Sequence, residues 1–341
     1  MTVKQLAISI LMSICGISIA QDIHFSQFDE TPLLLNPANT GLDHEVRAIA
    51  NYKSQWQSVN APFKTIAISV DGRLLKKKKN HLGVGLDFFS DNAANSIKTT
   101  QVNLSISAMI LLNKNNLLSA GLMGGFVQRG MNTSANTWSN QYNGLTYDAS
   151  RPSGEITQLS NFNYMDLAGG IQYSYGSNEM YMTANNAKKV NIGVSVFHPH
   201  QPAYSFYGNN TRLYTKFVFH GNASIGVKNT NLVLKPSYIV FIQGPTKEIT
   251  PGLTFQYLLQ SASKYTAIKK FTAISLGCYY RANDAAIALV KFEYNSCAIG
   301  FSYDINLSKL RTVSSTRGGY EISLRYAFDQ YKRGSTTSRF L

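Results

Sequence analysis

Apolar and polar residues alternate along most of the chain from Val46 onward, in segments of about ten residues that turn residues separate. In the segment 98–112, one set of positions carries Val102, Leu104, Ile106, Ala108 and Ile110, and the positions between them carry Asn103, Ser105 and Ser107. Side chains of a β-strand point alternately to its two faces, so this period of two predicts strands with one apolar face. The segments 188–199, 297–307 and 318–328 repeat the pattern.

The alternation and the intervening turn residues predict fourteen strands. They are 46–56, 64–75, 81–90, 98–112, 117–130, 163–176, 188–199, 212–227, 232–244, 247–259, 269–283, 285–295, 297–307 and 318–328. Pro236 lies inside the ninth segment and cannot donate to a ladder of hydrogen bonds. We therefore expect a bulge there, or a reset of the alternation.

A soluble β-sandwich would show the same alternation, so further features must decide between the two folds. The segments have about the ~9–11 residues with which a tilted strand crosses a bilayer. Their apolar faces often end in Tyr, Phe or Trp, as an interfacial aromatic girdle requires, and their other faces carry Gly, Ser, Asn and Thr. Charged residues make up only 15% of the chain and aromatic residues 12%. The sequence predicts an all-β fold, a transmembrane antiparallel β-barrel of outer-membrane type with about fourteen strands.

Connection lengths predict how the barrel is oriented in the membrane. The short turns 113–116 and 228–231 follow even-numbered strands, whereas the long polar stretches 131–162 and 200–211 follow odd-numbered strands. Bacterial barrels have short periplasmic turns and longer outer loops. We therefore expect the short turns, and the Lys76–Lys79 run, to face the periplasm. The connections 177–187 and 260–268 are longer than this rule requires.

The first twenty residues have the features of a secretory signal peptide. Lys4 supplies the positive charge, Leu6–Ile19 is an apolar run that is short for a membrane anchor, and Ser18–Ala20 offers a cleavage site. We expect a signal peptide over 1–20, a periplasmic or plug segment over 21–45, the barrel over 46–328 and a C-terminal tail over 329–341. The expected location is the outer membrane, reached by export.

The candidate chemistry of the chain is sparse. The net charge of +14 comes from scattered basic residues and, in an exported protein, does not indicate nucleic-acid binding. We find no G-x-S-x-G, H-E-x-x-H or phosphate-binding motif. His198 and His200 could form a metal pair, but an aromatic-rich loop is the preferred interpretation. Cys278 and Cys297 are expected to lie too far apart for a disulfide. The sequence predicts no enzyme, no cofactor and no metal site.

Several short motifs occur in the order that is typical of one family. They are Gln21–Phe28, Pro32–Gly41, Asn51-Tyr52 with Gln55-Trp56, Thr99–Val102, Phe126–Arg129, Gln201-Pro202, Ser302–Asp304 and Gly319–Tyr326. In these residues the chain resembles the PorP/SprF family of outer-membrane proteins of the type IX secretion and gliding systems. The match is incomplete, because Leu34 stands where the family usually has an aromatic residue and 131–162 fits no shared pattern.

The resemblance implies a binding protein beside the type IX translocon. Its members are core components linked to the periplasmic ring, or assist the export or surface retention of secreted proteins such as gliding adhesins. The expected partners are secreted cargo, secretion components and outer-membrane lipid, with no nucleic acid. One alternative is a solute channel resembling the fourteen-stranded fatty-acid transport barrels, and another is an outer-membrane hydrolase. An open lumen would favour a channel, and a filled lumen with a binding surface on the loops would favour the first function.

Three groups of apolar and aromatic residues are candidates for partner binding. The first is Phe25, Phe28 and Leu35, in a segment without strand period that we expect against the periplasmic mouth or in the lumen. The others are Trp138, Tyr142 and Tyr147 in one loop and Tyr204, Phe206 and Tyr207 in the other. Large rings among small polar residues suit a binding surface, since they add contact area at little entropic cost. Alternatively, these rings pack on one another or rest at the membrane interface.

Overall fold

The computed structural model describes most of the region in which strands are predicted. The described residues are 22–58, 61–76, 80–132, 137–154, 161–177, 185, 187–207, 210–261, 270–308 and 314–328. The predicted signal peptide 1–20, the tail 329–341, Lys77–Lys79 and parts of both long loops lie outside the described residues.

Fourteen antiparallel strands close into one barrel. They are β1 Val46–Gln55, β2 Phe63–Lys76, β3 Asn80–Ala93, β4 Ile97–Asn113, β5 Asn116–Met131, β6 Asn161–Ser177, β7 Lys188–Phe197, β8 Lys216–Gly226, β9 Leu232–Gln243, β10 Thr246–Gln260, β11 Thr272–Arg281, β12 Ala285–Tyr294, β13 Cys297–Asn306 and β14 Arg317–Phe328. Each strand pairs with its neighbours in sequence, and β1 closes the barrel against β14, from Val46↔Phe328 to Gln55↔Gly319. The predicted fold is confirmed, and each predicted segment overlaps one strand.

The wall of the barrel is apolar outside and polar inside. On β4, Val102, Leu104 and Ile106 are 48–51% exposed, whereas Asn103, Ser105 and Ser107 are fully buried. This is the reverse of a soluble domain, in which the apolar face would be the buried one. An apolar outer face suits contact with lipid, and small polar side chains line the lumen.

Pro236 does not interrupt the register, so the bulge or reset predicted there is wrong. The pairing of β9 with β10 runs from Leu232↔Tyr257 to Gln243↔Thr246 without a shift. Because proline lacks an N–H, its effect is confined to one side of the strand. That side faces β8. Ser237 pairs with Asn222 and Leu234 pairs with Ile225, whereas Lys235 and Pro236 between them have no partner in that pairing. Register shifts occur instead between Arg73 and Leu75, Leu111 and Asn113, Leu258 and Gln260, and Asp304 and Ile305.

The strand ends define two mouths. We call the end with Val46 and Phe328 the terminal mouth, and the opposite end the loop mouth. The two longest connections, 132–160 and 198–215, lie at the loop mouth, as their lengths predicted. The rule fails at other positions: the loop mouth also has the tight turns 94–96, 244–245 and 282–284, and the terminal mouth has the longer connections 178–187 and 261–271.

Ahead of β1 the chain forms three short helical turns. They are a 3₁₀ turn Phe28–Glu30, the single-turn helix α1 Pro32–Leu35 and a 3₁₀ turn Pro37–Asn39. Pro32 and Pro37 each take a first helical position, where the missing N–H of proline leaves no bond unmade. In the described part of the chain, no helix is long and apolar enough to cross a membrane.

Cysteine labelling tests the predicted orientation. In a background with Cys278 and Cys297 replaced by alanine, we expect Asn140→Cys to react with a membrane-impermeant maleimide on intact cells. Asn115→Cys, in the β4–β5 turn of the terminal mouth, should react only after the outer membrane is permeabilised. The opposite pattern would reverse the barrel in the membrane.

Candidate functional site

The chain ahead of β1 crosses the whole lumen. We call Asp22–Asp43 the plug segment. At the loop mouth, the Asp22 amide donates a hydrogen bond of 3.1 Å to Gln243 Oε1, at the end of β9. At the terminal mouth, Asp43 forms an ion pair with Lys189 near the start of β7. The sequence led us to expect this segment at the periplasmic mouth or in the lumen, and the structure places it along the lumen from mouth to mouth.

The plug segment is acidic, and basic side chains of the wall pair with its carboxylates. Residues 22–43 contain four carboxylates (Asp22, Asp29, Glu30 and Asp43) and neither Lys nor Arg. Glu30 Oε1 lies 2.7 Å from Lys291 Nζ and 2.9 Å from Arg325 Nη1, on β12 and β14. Buried charges are stable only when they are paired, so these contacts hold plug and wall together.

Two carboxylates of the wall bind main-chain N–H groups of the plug segment. Glu321 accepts hydrogen bonds from the amides of Ser26 (2.7 Å) and Gln27 (2.9 Å) and also lies 3.0 Å from Lys53 Nζ. Asp71 accepts from the amide of Gly41 at 2.7 Å. Both wall carboxylates are buried. Hydrogen bonds that involve a charged group are stronger than neutral ones, so they fix both ends of the plug.

Side chains of the wall also bind the carbonyl groups of the plug segment. The serine hydroxyls of β4, β5 and β7 donate to three of them: Ser107 to Thr40 O (2.6 Å), Ser119 to Ala38 O (2.7 Å) and Ser195 to Leu35 O (2.7 Å). Asn51 and Lys53 on β1 donate to Glu30 O (2.9 Å) and His24 O (2.8 Å). The polar face that the alternation predicted therefore serves to satisfy a buried main chain.

Asn36 fixes the middle of the plug segment. Its side-chain nitrogen donates to Ile171 O at 3.1 Å and lies 3.1 Å from His220 Nε2, while its oxygen accepts from the Ala38 amide at 2.9 Å. The following Pro37 presses on Gly121 of β5, where an added Cβ would come within 2.3 Å of the proline carbonyl carbon. The plug segment can therefore follow this path only if residue 121 is glycine.

Apolar side chains fill the rest of the lumen. Phe28 and Leu35 belong to one buried cluster with wall residues from β5 to β12, and the Phe28 ring meets Tyr279 edge-on at 5.6 Å. Phe25 and Leu33 are buried as well, and Leu34 is half-buried. The candidates Phe25, Phe28 and Leu35 thus lie inside the filled lumen.

Little space remains between plug and wall. Three cavities that lie between plug and wall have volumes of about 30, 20 and 10 Å³. A cavity needs roughly 10–15 Å³ to hold one water molecule, so each has room for about one or two. A larger cavity of about 460 Å³ lies on the outer surface, against lipid-facing residues of β1, β12, β13 and β14 such as Ala48, Phe292, Ile299 and Leu324.

His198 fastens the start of the plug segment at the loop mouth. Its Nε2 lies 2.8 Å from Asp22 and its Nδ1 2.6 Å from the buried Asp166 on β6. Burial alone would lower the pKa of His198, but the charge of Asp22 and the bonds to both carboxylates raise it to about 9. Burial likewise opposes ionisation of Asp22, yet Lys216 and His198 hold its pKa well below its usual range. The pair is therefore ionic at neutral pH.

His200 instead contacts Met165 O at 2.8 Å, so the two histidines have different partners.

Part of the first outer loop is a small ordered hairpin. We call Tyr142–Tyr147 the tip hairpin. The two tyrosines form an antiparallel bridge, and Asn143 Oδ1 accepts from the amides of Leu145 (2.9 Å) and Thr146 (2.8 Å). Its apolar side chains face solvent: Tyr142 is 55%, Leu145 88% and Tyr147 46% exposed. Trp138, just before the 3₁₀ turn Ser139–Gln141, is half-buried.

The aromatic residues of the second outer loop divide into two kinds. Tyr204 and Phe206 pack on Phe162 at the start of β6, with ring centroids 5.6 and 4.9 Å apart, and the Arg129 guanidinium lies 4.7 Å above the Tyr204 ring. Tyr207 is exposed. The predicted alternative, in which loop rings pack on one another, therefore describes Tyr204 and Phe206 but not Tyr207.

Sequence reasoning missed several residues of this site. It did not single out Asn36, Gly121 or Leu145 by role, and it gave no function to the basic residues of the lumen. Asn36 lies in the Pro32–Gly41 motif, which was a usable signal. The sequence held no such signal for Gly121, because its contact with Pro37 joins distant parts of the chain.

The sequence profile of a family described as "Type IX secretion system membrane protein PorP/SprF" matches residues 17–326. No curated protein matches the chain. Among solved structures, the chain is similar to the toluene transporter TbuX of Ralstonia pickettii, at 11% identity and a TM-score of 0.45, over 88% of this chain and 94% of that one. It is also similar to the CymD monoaromatic hydrocarbon channel, at 13% identity and a TM-score of 0.44, over 93% and 96%. At these identities the likeness concerns the barrel fold alone.

Enlarging Gly121 tests whether the plug segment is seated as described. We expect Gly121→Val to displace the segment around Pro37, at a cost in stability of about 1–3 kcal/mol for overpacking. Chymotrypsin should then cleave at Phe25, Phe28 or Leu35, and planar-bilayer recordings should show a conductance that the wild type lacks.

Gly124 on the same strand provides the matched control. A Cβ atom added to Gly124 would contact only Leu167 Cδ2, at 4.0 Å. Gly124→Val should therefore keep wild-type protease resistance and conductance. If Gly121→Val behaves in the same way as Gly124→Val, the path of the plug segment past β5 is incorrect.

Proposed function

This chain belongs to the PorP/SprF family of type IX secretion system membrane proteins, and on that premise we propose that it binds secreted proteins, such as gliding adhesins, at its loop mouth. It thereby assists their export and anchors them at the cell surface. The protein is an outer-membrane β-barrel, and its family implies interaction with other components of the secretion system. We further propose that it reaches the membrane after cleavage of a signal peptide ahead of Gln21.

The observation that carries this proposal is the filled lumen. A solute channel needs a continuous path, but the plug segment runs from Asp22 at one mouth to Asp43 at the other, and the cavities beside it have room for single waters. Buried side chains of the wall bond to its main chain at positions from His24 to Gly41, which favours a permanent seat over a gate. This weighs against the solute channel, and it leaves the mouths as the surfaces where partners can bind.

The tip hairpin is the part of the loop mouth best suited to bind a protein. Its turn is held by hydrogen bonds to Asn143, so little conformational freedom is lost when a partner docks. Tyr142, Leu145 and Tyr147 present apolar area at its end. Exposed apolar side chains held in one conformation are typical of the anchor residues of protein interfaces.

The remaining candidate residues have supporting roles in this proposal. Tyr207 adds exposed ring area on the second outer loop, while Tyr204 and Phe206 hold that loop against β6. Trp138 leads into the hairpin. Phe25, Phe28 and Leu35 act through the lumen, because they seat the plug segment whose start lies at the loop mouth.

Removing the apolar end of the tip hairpin tests the proposal. The triple variant Tyr142→Ala, Leu145→Ala, Tyr147→Ala should still yield a heat-modifiable barrel in the outer membrane. We expect it to release surface-retained secreted protein into the medium, with retention falling about tenfold or more, because loss of one anchor residue costs at least ~1–2 kcal/mol. Deletion of 134–158 should have the same effect. The measurement is the ratio of cell-bound to released secreted protein.

The double variant Thr137→Ala, Ser139→Ala alters the same loop without its apolar end and should retain cargo at the wild-type level. Wild-type retention in both the triple variant and the deletion would place cargo docking elsewhere, most simply at the terminal mouth.

A further inference from the structure

The two mouths of the barrel differ sharply in charge. The six connections of the terminal mouth contain eight lysines and one acidic residue: Lys77–Lys79, Lys114, Lys228, Lys264, Lys269 and Lys270, with Glu179. The seven connections of the loop mouth contain four basic and three acidic residues: Arg151, Arg212, Lys309 and Arg311, with Asp148, Glu155 and Asp284. The excess of positive charge among the connections therefore belongs to those of the terminal mouth.

Four lysines of the terminal mouth are described and exposed. Lys114 lies between β4 and β5, Lys188 at the start of β7, Lys228 between β8 and β9, and Lys270 before β11. We call them the lysine ring; they lie at the terminal-mouth ends of neighbouring strands from β4 to β11, over about half of the circumference. Within the described residues, none of the four forms an ion pair. Apart from the contact of Lys270 with the Tyr294 ring, their charge has no described partner in the protein.

A belt of exposed tyrosines lies next to the lysine ring on the outer wall. Tyr173, Tyr257, Tyr294 and Tyr326 each lie within four residues of the terminal-mouth end of their strand. Lys270 Nζ lies 5.7 Å from the centroid of the Tyr294 ring. Such belts sit at the level of the lipid headgroups. The lysines just beyond the belt can therefore reach the phosphates of the adjoining leaflet.

We propose that the lysine ring binds the phosphates of anionic phospholipids in the leaflet at the terminal mouth, which is the periplasmic leaflet in the predicted orientation. The four lysines lie just beyond the tyrosine belt that marks the level of the headgroups, so the anionic groups nearest to them are lipid phosphates. Each cation near an anionic surface adds to the attraction. The ring thus fixes the depth of the barrel at this end, independently of cargo binding at the loop mouth.

The test compares lipid selection by two variants of the full mature chain. One variant removes the lysine ring (K114Q, K188Q, K228Q, K270Q). Its control removes four exposed basic residues near the loop mouth (K64Q, K98Q, R212Q, K247Q). Each protein is reconstituted in nanodiscs with equal amounts of phosphatidylglycerol and phosphatidylcholine, and native mass spectrometry measures which lipid stays bound. A second set of nanodiscs contains lipid A in place of phosphatidylglycerol.

We expect the wild type and the control to retain phosphatidylglycerol preferentially. The ring variant should lose that enrichment about fivefold or more, since one lysine near the surface is worth roughly that factor. Equal enrichment in all three proteins, or an equal loss in both variants, would overturn the proposal. A lysine-dependent preference for lipid A over phosphatidylglycerol would also overturn it, by placing the ring in the outer leaflet. The barrel fold of each variant is checked by heat modifiability.

Discussion

The structure depends on the pairing of the charged and polar groups of the plug segment with charged and polar side chains of the lumen wall. Glu30 is held by Lys291 and Arg325, Asp43 by Lys189 and Asp22 by His198, on strands or loops from different sides of the barrel. Among the described residues, Lys291 and Lys189 form ion pairs with the plug alone, so without the plug both would lose their partner, and an unpaired buried charge costs several kcal/mol. The plug is therefore as much a part of the folded barrel as any strand.

This pairing assigns different tasks to the parts of the molecule. The plug segment fills the lumen, and serine hydroxyls and carboxylates that could have lined a pore instead bind its main chain. The outer wall faces lipid. Only the two mouths are left to meet other molecules, and they differ: one presents an ordered hairpin with an apolar end, and the other presents lysines. The Pro32–Gly41 motif, the strongest mark of the family in the sequence, is the stretch that the lumen buries.

The strands could be predicted from sequence because their signal is local. The alternation on β4 is enough to predict which face contacts lipid, without information from any other strand, and the same holds for the other segments. Pro236 misled us because the missing N–H affects only the side facing β8. The path of the plug was beyond sequence reasoning, since its contacts, such as Ser26 with Glu321, join the two ends of the chain. The loops were ambiguous for a related reason: Tyr142 and Tyr204 have similar neighbours in sequence, but only Tyr204 finds an aromatic partner on β6.

Amide hydrogen exchange of the plug segment tests the central claim most directly. The amides of Ser26, Gln27 and Gly41 donate to buried carboxylates of the wall. In the folded barrel they should exchange as slowly as the amides of β4 and β5, and far more slowly than the solvent-facing backbone of the outer loops. Exchange at loop-like rates across Asp22–Asp43, in a barrel whose strands remain protected, would show that the segment does not occupy the lumen and would contradict the account.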